Sequence, residues 1–557
     1  MRRILCDPLE FLRSTIELRL QLPPFEKRKS MNILLVYPAF PKTYWGAEYT
    51  MKFVGKKSIL PPLGLLTVAA MLPAHWQVKL CDMNVRELQA GELAWSDVVF
   101  ISGMLVQNQG MHEVARLAKA AGKPVVAGGP YASTSPDILQ RHVDCVVVGE
   151  AEEIMETLIA SIEQDAQHLP KRLEAAGRPD LSSTPVPRFE LLDVSAYQSI
   201  GVQYSRGCPF NCEFCDIIEI YGRKPRGKSP EQFCRELDAV YRSGFRGSVF
   251  VVDDNFIGNK PGLLAMLGQV AAWLRRHKDP FDFYTEASIN LANDDGLIAA
   301  MTEAGFTQVF VGIETPSREA LRDAGKFQNT NMDLAAAVRK LTCSGLEVMA
   351  GFIIGFDSDD ADALQRLHDW ISHSPIPLAM VGVLTALPGT QLHRRLEREG
   401  RLLHDSTGDQ FGHTNFITKL EEVELLEGYA RILGDLYSPQ SYLRRAAEAL
   451  ELCPTDPSRM RHPKLFGLGV LWRVIWNLGV RSKHRRQFWG FFGRVLRRAP
   501  GRFARSVGLA IHGHHMIRYT AEDVMPRLQA AIVEAKLRLA AAVKSRLEQP
   551  ICAALLA

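Results

Sequence analysis

Short apolar runs alternate with amphipathic helical patterns over residues 31–165. The apolar runs, each of a length typical of buried strands, lie at 33–37, 78–81, 98–102, 125–127 and 145–148. Between them, helical periodicity covers 62–72, 109–121 and 136–142. This alternation predicts βα units that build a parallel, doubly wound sheet. Ligands of such sheets bind beyond the carboxyl ends of the strands.

A second βα series follows a stretch of different composition. Residues 166–198 are rich in Pro, Ser, Asp and Arg and have weak periodicity, so we predict a linker there. Between 199 and 405, apolar runs recur at 201–205, 248–252, 283–287, 308–313, 346–354 and 379–385. Helical patterns separate them, among them 230–242, 261–277, 297–304 and 332–344. Six such units predict a partial (β/α)6 barrel, with its chemistry on the loops after the strands.

Both ends of the chain differ from these two α/β regions. Residues 1–30 lack a secretory signal, because Arg13, Glu17 and Arg19 interrupt every apolar run. Met31 opens the first strand pattern, and we favour it as the start; the alternative is an N-terminal extension that forms a loose helix. Residues 406–557 are predominantly helical in pattern.

Composition places the chain among ordinary globular proteins. Of its 557 residues, 46% are hydrophobic and 23% are charged, which excludes disorder throughout, collagen and a disulfide mini-scaffold. Ten cysteines are too few for a secreted disulfide framework and indicate a reducing compartment, so we expect a cytoplasmic protein. The formal net charge is +4, but residues 459–505 contain thirteen Lys or Arg and no Asp or Glu. The rest of the chain is therefore mildly acidic.

The basic segment 459–505 interleaves its cations with aromatic residues such as Trp472, Trp476 and Trp489. Three interpretations stay open: a helix in an anionic membrane interface, a nucleic-acid surface, or a helical cap whose arginines cover the barrel. The excess of Trp, Phe and Leu over Lys favours lipid over RNA. The apolar stretch 465–480 is broken by Arg473 and is too short to span a bilayer. We therefore expect peripheral contact with the inner face of a membrane and no nucleic-acid partner.

The most specific local signal is the stretch Gly207-Cys208-Pro-Phe-Asn-Cys212-Glu-Phe214-Cys215. It follows the first barrel strand and brings three thiols onto one compact loop. Three soft ligands can bind three irons of a cubane cluster and leave the fourth iron open to a substrate. A structural zinc ion would need a fourth protein ligand, and no histidine follows closely enough to supply one in an obvious way.

This motif resembles that of the radical S-adenosylmethionine superfamily, with Phe214 as the aromatic residue before the last cysteine. The resemblance implies that Cys208, Cys212 and Cys215 hold a [4Fe–4S] cluster and are the catalytic and metal-binding residues. S-adenosylmethionine would chelate the open iron through its amino and carboxylate groups. One electron, from a donor such as flavodoxin or ferredoxin, would then cleave it to methionine and a 5′-deoxyadenosyl radical.

Acidic residues recur at the ends of the next barrel strands. Asp253 and Asp254 end the second strand, where the superfamily contacts the methionine amino group. Glu286 and Glu314 end the third and fourth strands and are candidates for ribose or methionyl groups. The alternative for each is a helix N-cap or a solvated loop charge. Their recurrence at successive strand ends favours cofactor binding.

The fifth strand carries Gly351-Phe-Ile-Ile-Gly355-Phe-Asp357, which resembles the family motif beside adenine. The resemblance assigns Gly351 and Gly355 to cofactor binding. The family often has a glutamate three residues after the second glycine, but Ser358 occupies that position here. Asp357 or Asp359 could replace it.

The region before the barrel resembles the Rossmann-like module of the cobalamin-binding radical enzymes. The match runs through 32–38, 61–64, 128–130 and 149–150. Its cofactor-binding candidates lie at strand ends and are Asp82, Ser102, Gly128, Gly129, Gly149 and Glu150. The loop directly after Asp82 contains no histidine, so bound cobalt would lack a protein imidazole. The alternative is a domain that binds nothing, or only part of a substrate.

From Met31 onward the chain resembles one branch of this family, which has a helical C-terminal extension and includes the hopanoid A-ring methylases. Stretches typical of the branch lie at 204–209, 213–217, 221–225, 252–259 and 386–390. The resemblance implies a cobalamin-dependent methyltransferase that acts on an unactivated carbon of a polycyclic lipid such as a hopanoid. One S-adenosylmethionine would methylate Co(I), and a second would supply the radical.

Two alternative functions remain from the sequence. The first is an oxidative cyclase or oxidoreductase that acts on a tetrapyrrole or another ring substrate with the same two modules. The second is a non-catalytic iron–sulfur or zinc module that binds RNA or a membrane. A tRNA methylthiolase fits less well, because Cys6, Cys81 and Cys145 do not resemble the additional cluster motif of those enzymes.

Overall fold

The structure is a computed structural model that describes residues 30–454 and 466–548. The predicted N-terminal extension lies outside these residues except for Ser30, and so does the part of the basic segment from 459 to 465. The chain forms two parallel sheets in sequence, followed by a layer of helices. The predicted bounds 31–165, 166–198, 199–405 and 406–557 stay predictions.

The first sheet has six parallel strands, and their apolar residues are buried against helices on both faces. In chain order the strands are Asn32–Tyr37, Gln77–Asp82, Val98–Ser102, Val125–Gly128, Cys145–Val148 and Arg172–Glu174. The spatial order is second, first, third, fourth, fifth, sixth, so the direction of winding reverses between the first and third strands. The helices of this unit are Glu48–Val54, Leu63–Met71, Ala90–Trp95, Asn108–Ala120, Pro130–Thr134, Pro136–Leu139 and Met155–Asp165. The predicted doubly wound sheet is confirmed.

Two details differ from the sequence prediction. The segment 166–198 is more than a linker, because Arg172–Glu174 pairs with the fifth strand as the edge of the sheet. Two of the three residues of this strand are exposed, so it lacks the apolar run from which the other strands were predicted. The helix expected at 136–142 ends at Leu139, and a separate helix, Pro130–Thr134, precedes it. A proline lacks the amide that a continuous helix would require at Pro136.

The second sheet also has six parallel strands, in the order of the chain. They are Ser199–Val202, Gly247–Val251, Phe281–Glu286, Phe306–Glu314, Glu347–Ile354 and Ala379–Val383. The helices around it are Ile217–Ile220, Pro230–Arg242, Lys260–Arg276, Asp295–Glu303, Arg318–Asp323, Leu334–Cys343, Ala363–Ser372 and Gln391–Arg398. All six predicted strands are present, which confirms the partial barrel. A short antiparallel pair, Ser205–Arg206 with Arg226–Gly227, follows the first strand.

The C-terminal layer consists of long helices that cover the free edge of the last barrel strand. These helices are Glu422–Leu436, Pro439–Leu452, Phe466–Val474, Arg485–Arg498, Phe503–Tyr519 and Met525–Glu548, with wider turns at Ile475–Val480 and Thr520–Val524. The Tyr429 hydroxyl donates to Val381 O at 2.7 Å, and the Tyr437 hydroxyl donates to Ala379 O. These bonds occupy backbone acceptors of an edge strand that would otherwise be open to pairing. Within the described ranges, no helix combines the length and the hydropathy that crossing a bilayer requires.

Candidate functional site

The cysteine loop, residues 207–215, follows the first barrel strand and carries three free thiols. Two side-chain amides point at its sulfur atoms: Asn255 Nδ2 lies 3.9 Å from Cys208 Sγ, and Gln328 Nε2 lies 3.8 Å from Cys212 Sγ. Amide donors to sulfur stabilise thiolate ligands of a metal centre and adjust its potential. The loop therefore has both the soft ligands and the surrounding donors that an iron–sulfur cluster requires.

The three thiols lie close enough to influence one another electrostatically. Burial raises the pKa of Cys208, Cys212 and Cys215; the charge of Cys212 raises that of Cys208 and Cys215 further, whereas Lys326 partly offsets the rise at Cys212. Among the described residues, no three His, Cys, Asp or Glu side chains converge tightly enough for a single metal ion. In a cubane cluster each cysteine binds a different iron, so the ligands are spread more widely. The donor set fits such a cluster.

Lys326 is a neighbour of the cysteine loop that sequence reasoning missed. Its ammonium forms a buried ion pair with Glu314, and its pKa is raised: burial alone would lower it, but Glu314 and Cys212 outweigh that effect. The ammonium also lies 5.9 Å from the centre of the Phe214 ring. Glu314 was expected to receive a cofactor, but its carboxylate is engaged by this lysine. Its backbone adopts φ +65°, at an irregularity in strand pairing between Gly312 and Glu314.

The two acids that end the second barrel strand support the start of the cysteine loop. Asp253 is fully buried and accepts hydrogen bonds from Tyr204 N (2.8 Å), Ser205 N (2.7 Å) and Ser205 Oγ (2.6 Å). Asp254 accepts from Gly207 N at 2.8 Å. Burial raises the pKa of Asp253 to about 7 and that of Asp254 to about 6. Asp253 thus holds the backbone, whereas Asp254 is partly exposed and reaches a cavity described below.

Glu286, at the end of the third strand, has a different environment. Burial raises the pKa of its carboxyl to about 7, and the charge of Asp254 raises it further. Within the described residues, its side chain makes no hydrogen bond or ion pair, although it is only partly exposed. A carboxyl group of this kind is available to a ligand. Of the four predicted strand-end acids, it is the one without a partner among residues 30–454 and 466–548.

The fifth strand ends in a tight turn around Gly355, which has φ +91°. Asp359 Oδ2 accepts from the amides of Gly355 (2.8 Å) and Phe356 (3.0 Å), and burial raises the pKa of this carboxyl to about 6. Asp357 is instead paired with Arg401 and Arg395, and these arginines hold its pKa at about 2 although burial alone would raise it. Both aspartates thus have structural partners. The other predicted glycine, Gly351, lies on the partly exposed face of the strand.

A groove of about 380 Å³ lies between the first sheet and the barrel. Five of the six candidates in the first unit line it, namely Ser102, Gly128, Gly129, Gly149 and Glu150. We call this cavity the interdomain groove. Its opposite side consists of barrel residues, among them Gln203, Arg206, Tyr221 and Asp254. Its floor is apolar, with Val68, Met71, Phe100 and Leu158, and none of its described lining residues is a histidine.

Asp82 lies away from the interdomain groove. Its carboxylate accepts from the Asn84 amide N (2.9 Å), the Asn84 side chain (2.8 Å) and the Tyr197 hydroxyl (2.9 Å). Burial raises the pKa of this carboxyl. The side chain therefore closes a turn and joins the first unit to residue 197, so its predicted cofactor role receives no support from its position.

Glu150 lines the groove, and its carboxylate forms ion pairs with two arginines of the barrel. It pairs with Arg206 (2.6 Å) and Arg226 (2.6 Å), and Glu152 pairs with Arg206 at 2.9 Å. All four side chains are largely buried. We call these residues the interdomain ion cluster. Sequence patterns gave no signal for it, because the two glutamates and two arginines lie in separate elements.

A cationic, aromatic surface occupies the described part of the basic segment. Trp472 and Trp476 are stacked, with ring centres 6.1 Å apart, and are 64% and 45% exposed. Exposed cations follow them in the chain: Arg481 and Lys483 lie in a turn, and Arg485 and Arg486 begin the next helix. Leu468, Val480, Trp489 and Leu496 are further exposed apolar side chains of these helices. We call this region the basic aromatic surface.

Comparison with protein-family models gives three matches along the chain. Residues 56–159 match the B12 binding domain, residues 202–371 match the Radical SAM superfamily, and residues 390–527 match a domain of unknown function (DUF4070). The first two matches cover the sheet that lines the interdomain groove and the barrel that carries the cysteine loop. The third falls mainly on the C-terminal helices.

Two relatives align with nearly the whole chain. An uncharacterized methyltransferase of Synechocystis sp. is 43% identical over 88% of this chain and 92% of its own length. The hopanoid C-2 methylase of Rhodopseudomonas palustris is 36% identical over 92% of this chain and 98% of its own. Among solved structures, the cobalamin-dependent S-adenosylmethionine radical enzyme OxsB, with aqua-cobalamin and S-adenosylmethionine bound, matches with a TM-score of 0.59 at 15% identity. That alignment covers 92% of this chain and 84% of OxsB, and it concerns the fold.

Proposed function

The chain belongs to the cobalamin-binding radical S-adenosylmethionine enzymes, and from this membership we propose that it transfers a methyl group to an unactivated carbon of a polycyclic lipid. The family's cofactors are cobalamin, a [4Fe–4S] cluster and S-adenosylmethionine. Together they supply a methyl group and a radical strong enough to remove hydrogen from a carbon that no protein acid or base can activate. The protein's own task is to bind, orient and shield these groups.

The observation that carries the proposal is the direct contact between the two candidate cofactor sites. Asp254 lines the interdomain groove and also accepts from Gly207 N, in the residue before Cys208. Arg206 lines the groove and directly precedes the cysteine loop. One short stretch of backbone thus forms a side of the groove and the start of the loop, so a methyl donor in the groove would lie beside a radical source.

We assign the site residues as follows. Cys208, Cys212 and Cys215 would hold the cluster, and the Lys326 ammonium would offset part of its negative charge. Glu286 would accept hydrogen bonds from S-adenosylmethionine, since its carboxyl has no partner in the described part of the chain. The glycines at the rim of the interdomain groove would let a planar ring approach the backbone, and the apolar floor would receive an apolar appendage. A small redox protein such as flavodoxin or ferredoxin would supply electrons.

A relative of named activity supports the proposed substrate class. The Rhodopseudomonas palustris protein is a hopanoid methylase and aligns over almost its entire length. We propose a hopanoid or another fused-ring lipid as the substrate.

The test is anaerobic incubation of the reconstituted enzyme with methyl-labelled S-adenosylmethionine and a bacterial lipid extract. We expect a labelled lipid heavier than its precursor by one methylene group, and no label with the Cys208→Ala/Cys212→Ala/Cys215→Ala variant. A product that has lost hydrogen would instead support the oxidative alternative. Bound zinc without acid-labile sulfide would contradict any radical mechanism.

We further propose that the basic aromatic surface docks on an anionic bilayer, which would bring the enzyme to a membrane-resident substrate. Stacked tryptophans suit the headgroup region, and each exposed cation near an anionic surface contributes about 1 kcal/mol. A cluster of exposed apolar side chains beside like charges is typical of an interaction site.

Vesicle flotation tests this docking. Wild-type protein should float with vesicles that contain phosphatidylglycerol and less so at high salt, because salt screens the attraction. Trp472→Ala/Trp476→Ala should reduce flotation, whereas Leu264→Ala, which changes an exposed residue on a barrel helix, should not. Equal flotation of all three proteins, or none by the wild type, would contradict membrane docking through this surface.

A further inference from the structure

Several aromatic side chains lie on the inner face of the barrel. Along its strands, fully buried residues that pack under the helices alternate with partly exposed ones. Because helices cover the outside of such a barrel, the partly exposed residues face inward. Phe250 and Tyr284 are among them and stack with ring centres 4.7 Å apart and planes 9° from parallel. Phe310 lies on the next strand along the same face.

Trp45 reaches this face from outside the barrel. It follows the first strand of the first sheet in sequence, yet its ring packs edge-on against Phe310 with centres 5.0 Å apart. Its side chain remains 52% exposed. We call Trp45, Phe250, Tyr284 and Phe310 the aromatic wall.

The chain directly before Trp45 is held by the C-terminal helix Phe503–Tyr519 and the turn after it. The buried Tyr44 hydroxyl lies 2.5 Å from Thr520 Oγ1, and Tyr519 donates to Lys42 O at 2.8 Å. His515 Nε2 lies 3.0 Å from Thr43 O. These bonds fix where the indole projects, while half of its own surface stays uncovered.

The aromatic wall adjoins the reactive end of the barrel. Phe310 pairs in register with Glu286, the acid available to a ligand. Gly312, the next residue on the inner face, lies against the Glu314–Lys326 pair, since a Cβ at Gly312 would meet Lys326 Nζ at 2.6 Å. Two residues along a strand span roughly 7 Å. A molecule against the wall would therefore lie one side-chain layer from the residues beside the cysteine loop.

We propose that the aromatic wall binds the fused-ring skeleton of the substrate, and that Trp45 is a substrate-binding residue which the first domain contributes to the barrel. Flat ring faces match a rigid polycyclic hydrocarbon over a large apolar area without requiring hydrogen bonds. Such a molecule would cover the exposed half of the indole. This inference rests on the proposed function, because it names the part of the site that recognises that lipid class.

The test compares Trp45→Ala and Trp45→Phe with a matched control, Leu264→Ala, which removes an exposed apolar side chain on a barrel helix outside the aromatic wall. A pentacyclic triterpene hydrocarbon in detergent micelles is titrated while intrinsic fluorescence is followed. The shift of tryptophan emission to shorter wavelength that is lost in Trp45→Phe, relative to wild type, reports cover of the indole by the hydrocarbon. Losing about 50 Å² of apolar contact predicts a roughly tenfold weaker Kd for Trp45→Ala, and Trp45→Phe should recover most of it.

Formation of 5′-deoxyadenosine without lipid separates a binding role from a structural one, and it should be the same in all variants. Equal Kd values for wild type and Trp45→Ala, or a parallel loss of 5′-deoxyadenosine formation, would overturn the role of Trp45. If the wild type transfers no methyl group to any lipid, the proposed function fails instead. The two failures are therefore distinguishable.

Discussion

At the scale of single residues, the acids at the ends of the barrel strands have different surroundings. Asp253 accepts hydrogen bonds from the backbone of the preceding loop, and Glu314 forms an ion pair with Lys326. Glu286 has no partner among the described residues. The sequence predicted all of them as cofactor-binding residues because each follows an apolar strand. What distinguishes them is a partner elsewhere in the chain, and strand periodicity contains no information about that partner.

Glu286 should make stability depend on pH. Burial raises its pKa from the usual 4.5 to about 7, so the folded protein binds this proton more tightly than the unfolded chain does. The resulting stabilisation is fully present below about pH 4.5 and is lost as the pH rises through about 7, a change of at most about 3 kcal/mol. We expect Glu286→Gln to flatten the fall in denaturation midpoint between pH 5 and 8.

This effect is checked by denaturant unfolding at several pH values without S-adenosylmethionine. Glu303→Gln is the matched control, because Glu303 is 65% exposed and its charge is solvated. The wild type and the control should share one pH slope. A wild-type slope no steeper than that of Glu286→Gln would show that Glu286 titrates normally in the folded state.

At the scale of elements, the sequence predicted those that bury continuous apolar runs. All six barrel strands and five of the six strands in the first sheet were found this way. The edge strand Arg172–Glu174 and the pair Ser205–Arg206 with Arg226–Gly227 were missed, because they are short and form through backbone hydrogen bonds rather than apolar burial. The position of Trp45 was missed because Phe310, which its ring contacts, and the helix that holds the preceding residues are both distant in sequence.

The rim of the interdomain groove offers an element-scale prediction with an internal control. Gly129 has φ +89°, and a Cβ there would lie 2.3 Å from Ser102 Oγ. At Gly128 the nearest atom to a Cβ would be Val147 Cβ at 3.8 Å, an ordinary contact. Gly129→Ala should therefore destabilise the protein by about 1–3 kcal/mol through backbone strain, whereas Gly128→Ala should leave the stability unchanged or raise it by about 0.4–1 kcal/mol.

Thermal unfolding of the two variants, with cobalamin retention as a second measurement, tests this difference. Gly129→Ala should also lose cobalamin during purification, since the turn that shapes the rim would shift. If both alanine variants unfold at the same temperature, the positive backbone angle at Gly129 does not constrain the rim.

At the scale of the whole molecule, the two α/β units are held together by buried charge as well as apolar contact. In the interdomain ion cluster, Glu150 and Glu152 of the first unit meet Arg206 and Arg226 of the barrel. Sequence reasoning assigned Glu150 to a cofactor because it follows a strand. The structure adds a role in joining the units, and its role toward a cofactor stays a prediction.

Removing one member of the interdomain ion cluster should be costly. Glu150→Gln would leave two buried guanidinium groups without their shared carboxylate, and breaking a buried pair in this way costs about 3–5 kcal/mol. Glu303→Gln, which breaks the exposed pair with Arg275, should cost about 1 kcal/mol or less.

Limited proteolysis between residues 166 and 198, together with denaturant unfolding, measures the effect of Glu150→Gln. The variant should be cleaved faster there, because separation of the two units exposes the connecting segment. Cleavage at the wild-type rate, with unchanged unfolding, would mean that apolar packing alone holds the units together.

The contacts around Trp45 have a consequence for how the enzyme is made. Tyr44 and Thr520 are 476 residues apart in the chain, so at roughly 5–20 residues per second the ribosome needs about half a minute to a minute and a half to deliver the second after the first. Until then, the nascent chain lacks the helix that holds the residues before Trp45. The aromatic wall is therefore completed only after almost the whole chain has been made.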